Sequence, residues 1–211
     1  ATRRMSGVSA RAEVERRCGA CSDIERLFAA CSDIERLFAA RGDHAYGEGV
    51  SQREHALQCA MLAQQRGEPA ALVLAALLHD IGHLLHADAD AALADGIDDR
   101  HEALGAQWLA QRFVSALWQP VALHVQAKRY LCAREPGYAQ ALSDASQRSL
   151  ALQGGPMTAA EANRFETLRH ADAALRLRRF DELAKVPGLA TPPLAHFLAL
   201  AEGCAIELPS L

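Results

Sequence analysis

Aromatic residues are scarce in this chain: Trp, Tyr and Phe together make up 5% of its 211 residues, although 50% of the residues are hydrophobic. An apolar fraction supplied mainly by Ala and Leu favours helix–helix packing. No segment shows the strict alternation of apolar and polar residues that is typical of strands. The chain is long enough to bury a sizeable core within one domain. Composition and patterning therefore predict an all-α fold.

Long apolar runs and a strong charge imbalance are also missing. The chain has no run of about 18 apolar residues, which argues against a transmembrane helix. Residues 1–5 are basic but are not followed by the apolar core of a signal peptide. The formal net charge of -4 disfavours a general nucleic-acid-binding surface. We therefore expect a cytoplasmic protein that acts on a small molecule, without a membrane or nucleic-acid partner and with its oligomeric state open.

Cysteine pairs with metal-ligand spacing are nearly absent. Of the six cysteines, Cys18 and Cys21 form a lone C-x-x-C pair. A structural zinc site needs a second pair of ligands at a similar spacing, and the sequence offers none. Reduced thiols that pack within helices are the expected state in a cytoplasmic protein.

A decapeptide, CSDIERLFAA, occupies residues 21–30 and is repeated without change as residues 31–40. Ten residues advance a helix by about 1000°, which leaves the two copies roughly 80° out of phase. Both copies therefore cannot present the same apolar face to one core. We interpret the repeat as a local duplication that lengthens a peripheral N-terminal helix. The expected organisation is an N-terminal extension over 1–42, a core over 43–190 and a C-terminal helix and tail over 191–211.

Several helix boundaries can be predicted from capping and breaking residues. Ser51 and Thr158 each stand three residues before a Glu, which is the capping-box pattern that starts a helix. One helix is expected to run from Pro69 through the pair at 79–80, and a second to begin at Pro120. A third is expected over residues 138–153.

The pair His79–Asp80 follows the apolar run 70–78, which is expected to be buried. Burying an ionisable pair without a partner is costly, and a metal ion removes that cost because imidazole and carboxylate are good ligands. Further candidate ligands lie at scattered positions: His55, His101, His124 and Asp181. With Asp80 as a bridge, the other five could divide between two ions, with His55, His79 and Asp181 on one and His101 and His124 on the other. Open positions on both ions would indicate catalysis rather than a structural role.

The order of these candidate ligands resembles the HD-domain superfamily, whose members are helical metalloenzymes and mostly phosphohydrolases. Other stretches are similar to one branch of it, the mixed-valent diiron oxygenases of phosphonate catabolism, which are related to myo-inositol oxygenase. These stretches lie at residues 48–60, 73–80, 127–131, 142–146, 153–157 and 185–188. The resemblance covers roughly residues 43–190, and it implies an HD-domain helical bundle with a buried dinuclear metal site.

The resemblance also implies a reaction. It implies two iron ions in a mixed-valent Fe(II)/Fe(III) state, with O₂ as co-substrate. The expected reaction is oxidative cleavage of the C–P bond of a 1-hydroxyphosphonate, in the first place (R)-2-amino-1-hydroxyethylphosphonate, to glycine and phosphate. Three alternatives stay open: a metal-dependent phosphohydrolase of the HD type, an oxygenase for an N-methylated (trimethylammonium) hydroxyphosphonate, and a non-catalytic ligand sensor that kept the pocket.

Substrate-binding residues are likewise implied by the resemblance. The phosphonate end is expected to be lined by His83, Lys128, Ser146, Gln153 and Arg178, with His83 and Lys128 also expected to be catalytic. The chemistry of these residue types agrees, because a dianionic phosphonate needs cationic and hydroxyl donors.

The amine end of the substrate would be recognised by a carboxylate. The resemblance implies that Glu48 meets the substrate ammonium. Family members can carry a tyrosine three residues before this acid, where it occupies an iron until substrate displaces it. That position is Ala45 here, and the nearby Tyr46 is a candidate for the same gate; alternatively, the gate is absent.

Overall fold

The structure is a computed structural model that describes residues 8–45, 49–85 and 100–206, with side chains described from residue 24 onward. Within these ranges every regular element is helical, and pairing of extended backbone is limited to two isolated bridges, Ala45 with Ser51 and Phe113 with Ala205. The all-α prediction is therefore confirmed. No helix in the described part of the chain combines the length and apolar character needed to cross a bilayer.

The helices are numbered here in chain order. They are α1 (Val8–Arg41), α2 (Gln52–Gln65), α3 (Ala70–Leu78), α4 (Ile81–Leu85), α5 (His101–Ala110), α6 (Ser115–Arg134), α7 (Tyr138–Ala141), α8 (Asp144–Leu152), α9 (Ala159–Glu166), α10 (Ala171–Leu183) and α11 (Leu194–Leu198), followed by a 3₁₀-helix over Ala199–Cys204.

Helix α3 lies at the centre of the fold. It is almost entirely apolar, and its residues from Leu72 to Leu78 are buried. It packs against α2, α6, α10 and the 3₁₀-helix, while α5 packs against α4 and α6. Removing this apolar surface from water is the main force that holds the bundle together. The predicted metal ligands lie on α2, α5, α6 and α10 and directly after α3, so the same packing brings them to one place.

The two copies of the decapeptide have different environments, as their phase difference predicts. In the second copy Ile34 is 0% exposed and Phe38 2%, and both belong to the main hydrophobic core. Their counterparts in the first copy, Ile24 and Phe28, are 54% and 70% exposed. Identical sequences therefore pack differently because helix geometry turns them to different sides. The division into 1–42, 43–190 and 191–211 stays a prediction.

The helix predicted to run through residues 79–80 ends earlier, at Leu78, so that prediction was wrong. The reason is local. The ring Nδ1 of His79 donates a hydrogen bond to the backbone oxygen of Ala76 at 2.8 Å, and α4 begins only at Ile81. The break places His79 and Asp80 in a turn between two helices, where adjacent side chains need not diverge as they do on a continuous helix.

Two other predicted boundaries were also wrong. Helix α6 begins at Ser115, so Pro120 lies inside the helix rather than at its start, although proline has no N–H to donate to the preceding turn. The helix predicted over 138–153 is interrupted between α7 and α8. There the Ser143 hydroxyl accepts a hydrogen bond from the backbone N–H of Ser146 at 3.2 Å and caps α8.

Candidate active site

Six buried polar side chains converge in the centre of the bundle, and all six are predicted metal ligands. They come from the first turn of α2, the turn between α3 and α4, the start of α5, the middle of α6 and the end of α10: His55, His79, Asp80, His101, His124 and Asp181. Polar groups at this depth require partners that compensate for lost hydration.

The side chains form two groups. In the first, Nε2 of His55 lies 3.2 Å from Nε2 of His79 and 3.4 Å from Oδ1 of Asp181. In the second, Nε2 of His101 lies 3.2 Å from Nε2 of His124. Ligand atoms at about 2.0–2.2 Å from a shared ion are separated by roughly these distances in tetrahedral or octahedral sites.

Asp80 lies between the two groups and offers one carboxylate oxygen to each. Its Oδ2 is 3.3 Å from Nε2 of His79 and 3.8 Å from Nε2 of His55. Its Oδ1 is 3.4 Å from Nε2 of His101 and 3.6 Å from Nε2 of His124. This is the arrangement expected of a carboxylate that bridges two cations.

The tautomers of three rings follow from their other hydrogen bonds. The Nδ1 atoms of His55, His79 and His124 lie 2.7–2.8 Å from the backbone oxygens of Ala184, Ala76 and Val121, respectively. A ring nitrogen bonded to a carbonyl carries the hydrogen, so Nε2 presents a lone pair in the neutral ring. In the first group two such lone pairs face each other, which is unfavourable unless a cation lies between them. The residues present therefore fit a metal.

The charge states point in the same direction. Burial acts to raise the pKa of Asp80, but His79 and His101 outweigh it and hold that pKa well below its ordinary value. Burial also acts to raise the pKa of Asp181, but Arg178 and His55 outweigh it and hold that pKa well below its ordinary value. Two ionised carboxylates thus sit among the imidazoles, and this negative charge attracts cations.

His79 and His124 respond oppositely to the same surroundings. Burial acts to lower the pKa of His79, but the carboxylates of Asp80 and Asp181 outweigh it and raise the pKa to about 9. At His124, burial and the neighbouring His101 lower the pKa to about 3. A proton on His79 would fill the role that a metal ion fills when one is bound.

Cys59 also contacts the first group, although sequence reasoning did not include it among the candidate ligands. Its Sγ lies 3.6 Å from Nε2 of His55, one helical turn away on α2, and it belongs to a set that could hold a metal with His55 and His79. The second such set is Asp80, His101 and His124. Burial and the nearby Asp181 raise the pKa of Cys59 well above its ordinary value, so the thiol stays protonated and is a poor ligand beside the two imidazoles.

A cluster of cationic and hydroxyl side chains contacts the same centre through Asp181. Arg178, which is buried, forms ion pairs with Asp181 and Glu182, and its NH2 donates to Oγ of Ser146 at 3.4 Å. Lys128, also buried, donates from Nζ to Oγ of Ser149 at 2.8 Å. Burial and the nearby Arg178 lower the pKa of Lys128 to about 8.

The other predicted substrate-binding residues have distinct surroundings. His83 stacks on the ring of His101, with centroids 4.1 Å apart and planes inclined by 20°. Gln153 ends α8, and its buried Oε1 has no hydrogen-bond partner among the described residues. Tyr46 and Glu48 lie outside the described residues.

Several residues of this cluster were missed in the sequence. The hydroxyl of Tyr138 accepts from Nε of Arg178 at 3.2 Å, and Lys185 contacts two serines of the cluster. The amide of Gln58, which is fully buried, binds the backbone of Val186. An isolated Tyr, Lys or Gln carries no spacing signal, because these contacts join positions tens of residues apart. The one available signal was Gln58, which is polar on an otherwise buried stretch of α2.

Comparisons with known proteins agree with this geometry. The model of the HD domain family matches residues 53–150. The chain is 46% identical over 164 residues to hydroxymethylphosphonate dioxygenase of Gimesia maris, a match that covers 77% of this chain and 82% of that protein. The chain belongs to the HD-domain phosphonate oxygenase family.

A second relative supports the same family. It is the glycine-betaine-forming [1-hydroxy-2-(trimethylamino)ethyl]phosphonate dioxygenase of Leisingera caerulea, 42% identical over 163 residues, with 77% of this chain and 83% of the relative covered. The resemblance to HD-domain phosphonate oxygenases is therefore confirmed. The six converging side chains agree with a metal centre in this HD-domain oxygenase.

Proposed function

We propose that this protein is a diiron oxygenase that uses O₂ to cleave the C–P bond of a 1-hydroxyphosphonate and releases phosphate. The observation that carries the proposal is the position of Asp80, whose two carboxylate oxygens face two groups of histidine nitrogens. The family membership supports the reaction type, because both relatives are named as dioxygenases of hydroxyphosphonates.

The metal ligands are proposed from the two groups. His55, His79, Asp181 and Oδ2 of Asp80 would hold one iron, and His101, His124 and Oδ1 of Asp80 would hold the second. When bound in the mixed-valent Fe(II)/Fe(III) state, the irons supply the activation of O₂ and the electron transfer that amino-acid side chains cannot provide.

The side chains of the chain itself position and neutralise the substrate. Arg178 and Lys128 offer buried positive charge, and the hydroxyl of Ser146 offers a further donor to the phosphonate oxygens. Their burial excludes water, which strengthens each of these interactions. Gln153 has a buried side-chain oxygen that can accept a hydrogen bond from the hydroxyl group of the substrate.

Two side chains of the site, Lys128 and His83, are proposed as catalytic. Lys128, with its pKa lowered to about 8, can hold a proton at Nζ and donate it to an oxygen of the leaving phosphate. His83, which stacks on His101, would exchange a proton with a substrate group bound beside the second metal position. Neither residue is needed to supply electrons.

The substrate class is defined by what the candidate substrates share, a hydroxyl on the carbon that bears phosphorus. The first candidate is (R)-2-amino-1-hydroxyethylphosphonate, for which Glu48 would bind the ammonium. Hydroxymethylphosphonate and the trimethylammonium compound are further candidate substrates, because the two relatives are named as dioxygenases of these compounds. The role of Tyr46 as a gate also remains a prediction.

The test is a panel of these 1-hydroxyphosphonates on the iron-loaded protein, with O₂ uptake and phosphate release followed together. Oxidation of the hydroxyl-bearing carbon to a carboxylate balances with one O₂ consumed for each phosphate released. We expect this ratio for at least one compound and no turnover under strict anaerobiosis. Phosphate release without O₂ would contradict the proposal and favour the metal-dependent phosphohydrolase.

A further inference from the structure

Lys185 extends the cluster of cationic and hydroxyl side chains beyond the residues assigned so far. It lies two residues after α10 and is half-buried. Its Nζ is 3.3 Å from Oγ of Ser143 and 3.3 Å from Oγ of Ser146. Both serines belong to the N-terminal turn of α8, at which backbone N–H groups and the helix dipole also favour an anion.

Ser146 connects Lys185 to Arg178. The Ser146 hydroxyl oxygen accepts from NH2 of Arg178 at 3.4 Å and from Nζ of Lys185 at 3.3 Å. Because this oxygen accepts from two cations, its single hydrogen remains available to donate to a third group. A hydroxyl between two cations that can itself donate is well suited to an anionic oxygen.

Lys128 reaches the next turn of α8 from α6. Its Nζ donates to Oγ of Ser149 at 2.8 Å, and that hydroxyl donates to the backbone oxygen of Ser146 at 3.1 Å. Three cationic side chains from α6, α10 and the segment after α10 therefore meet at the first two turns of α8. A phosphonate group has three oxygens, and three donors from different directions can fix its orientation as well as its charge.

The backbone on both sides of Lys185 is anchored to α2. The amide of Gln58 donates from Nε2 to the Val186 oxygen at 2.8 Å and accepts from the Val186 N–H at 3.0 Å. On the other side, the oxygen of Ala184 binds Nδ1 of His55 at 2.8 Å. Lys185 is thus held in fixed relation to a proposed metal ligand, which a solvent-exposed lysine on a free loop would not be.

We propose that Lys185 is a further substrate-binding residue, which together with Ser143 and Ser146 holds one oxygen of the phosphonate and of the phosphate product. This inference rests on the proposed function, since it names the residue that completes the phosphonate end of the same site. It also implies that inorganic phosphate binds there in the absence of an organic substrate.

The experiment measures the affinity of iron-loaded protein for inorganic phosphate and for methylphosphonate at constant ionic strength. Lys185→Met and Lys185→Gln are expected to weaken both by about 10- to 100-fold, the range for losing a hydrogen bond from a charged donor. Lys185→Arg is expected to restore most of the affinity. KM for a turned-over hydroxyphosphonate should rise by a similar factor, with a smaller change in kcat.

The matched control is Arg148→Gln, which removes an exposed positive charge from the same helix α8. This control is expected to leave phosphate affinity unchanged. Iron content and thermal stability are expected to stay at wild-type values in all of the variants. Unchanged phosphate affinity in both neutral variants would overturn the proposal. So would equal weakening in the Arg148 control, or loss of iron in both neutral variants without rescue of affinity by Lys185→Arg.

Failure of the proposed function has a different result. If the wild-type protein turns over no hydroxyphosphonate but binds phosphate in a Lys185-dependent way, the anion site stands and the oxygenase reaction falls. If turnover occurs and Lys185 has no influence on KM or on phosphate affinity, the oxygenase reaction stands and the role of Lys185 falls.

Discussion

Asp80 presents its two carboxylate oxygens to different histidines, Oδ2 to His55 and His79 and Oδ1 to His101 and His124. Its ionised state is stabilised by the surrounding imidazoles, although the site is buried. One side chain therefore couples the occupancy of both proposed metal positions.

Replacing Asp80 with Ala is expected to abolish binding of both irons, because each position loses an oxygen ligand and the negative charge that offsets the cations. Elemental analysis of the purified variant measures this. The matched control is Asp172→Ala, which removes an exposed carboxylate from α10, the helix that carries Asp181. Two retained irons in the Asp80 variant would contradict the bridging assignment.

Lys128 predicts a pH dependence. Lysine is cationic below its pKa, which burial and Arg178 lower to about 8. The attraction of Lys128 for an anion should therefore be fully present below pH 8 and be lost as the pH rises through that value. We expect the inhibition constant of phosphate to rise above pH 8 in the wild type. In Lys128→Arg the profile should be flatter, because arginine stays charged; identical profiles would contradict this role.

Individual residues were unequally predictable from the sequence. His79 and Asp80 gave a clear signal because a charged pair directly follows a buried apolar run, and the other ligands followed from the resemblance. Lys185 was marked only as part of the family-like stretch 185–188, and Gln58 only as a polar residue on an otherwise buried stretch of α2. Lys185 acquires its role only because the chain brings it to Ser143, and that tertiary contact leaves no trace in local spacing.

Helices α4 and α5 approach each other closely at Gly82. A Cβ added at Gly82 would lie 2.1 Å from the backbone oxygen of His101 and 2.8 Å from its Cα. The glycine thus sets the distance between the turn that carries Asp80 and the first residue of α5. A side chain at this position has no room unless the backbone of His101 moves.

Gly82→Ala is therefore expected to displace His101 and to lower the iron content from two per chain toward one, with at least a tenfold loss of activity. Iron content and kcat measure the two effects. Gly203→Ala is the matched control, since a Cβ there meets no atom within 4 Å. Wild-type iron content and activity in Gly82→Ala would contradict the close approach of the two helices.

The repeated decapeptide in α1 provides a comparison of one sequence in two environments. Phe38 is 2% exposed and packs in the main core, whereas Phe28 is 70% exposed. Phe38→Ala is expected to lower the free energy of unfolding by about 3–5 kcal/mol, and Phe28→Ala by less than about 0.5 kcal/mol. Urea denaturation compares the two variants. Similar losses in both would contradict the different packing of the two copies.

At the level of elements, the sequence predicted helix content better than helix ends. Both capping boxes are present, at Ser51 and Thr158, because their hydrogen bonds are local. The predicted end of α3 and the predicted start of α6 were wrong. The ring of His79 binds the backbone three residues earlier, and the packed α6 accommodates Pro120 within it. The first case has this local cause, whereas in the second the packing of α6 against α3, α5 and α10 outweighs the cost of a proline within the helix.

The whole molecule joins the site to the core. The proposed ligands span residues 55–181. Helices α2, α6 and α10 pack against α3, and α5 packs against α4 and α6. The same hydrophobic cluster includes Phe38 from the N-terminal helix and Phe197 and Cys204 from the C-terminal segment. Folding therefore assembles donors that lie far apart in sequence, and a bound metal would in turn stabilise the assembled bundle by mass action.

The central claim is a pair of irons that share one carboxylate inside this bundle. Elemental analysis and Mössbauer spectroscopy of ⁵⁷Fe-loaded, catalytically active protein test it most directly. The account predicts two irons per chain with the magnetic coupling of a bridged pair. An active protein with a single iron, or with two uncoupled irons, would contradict it.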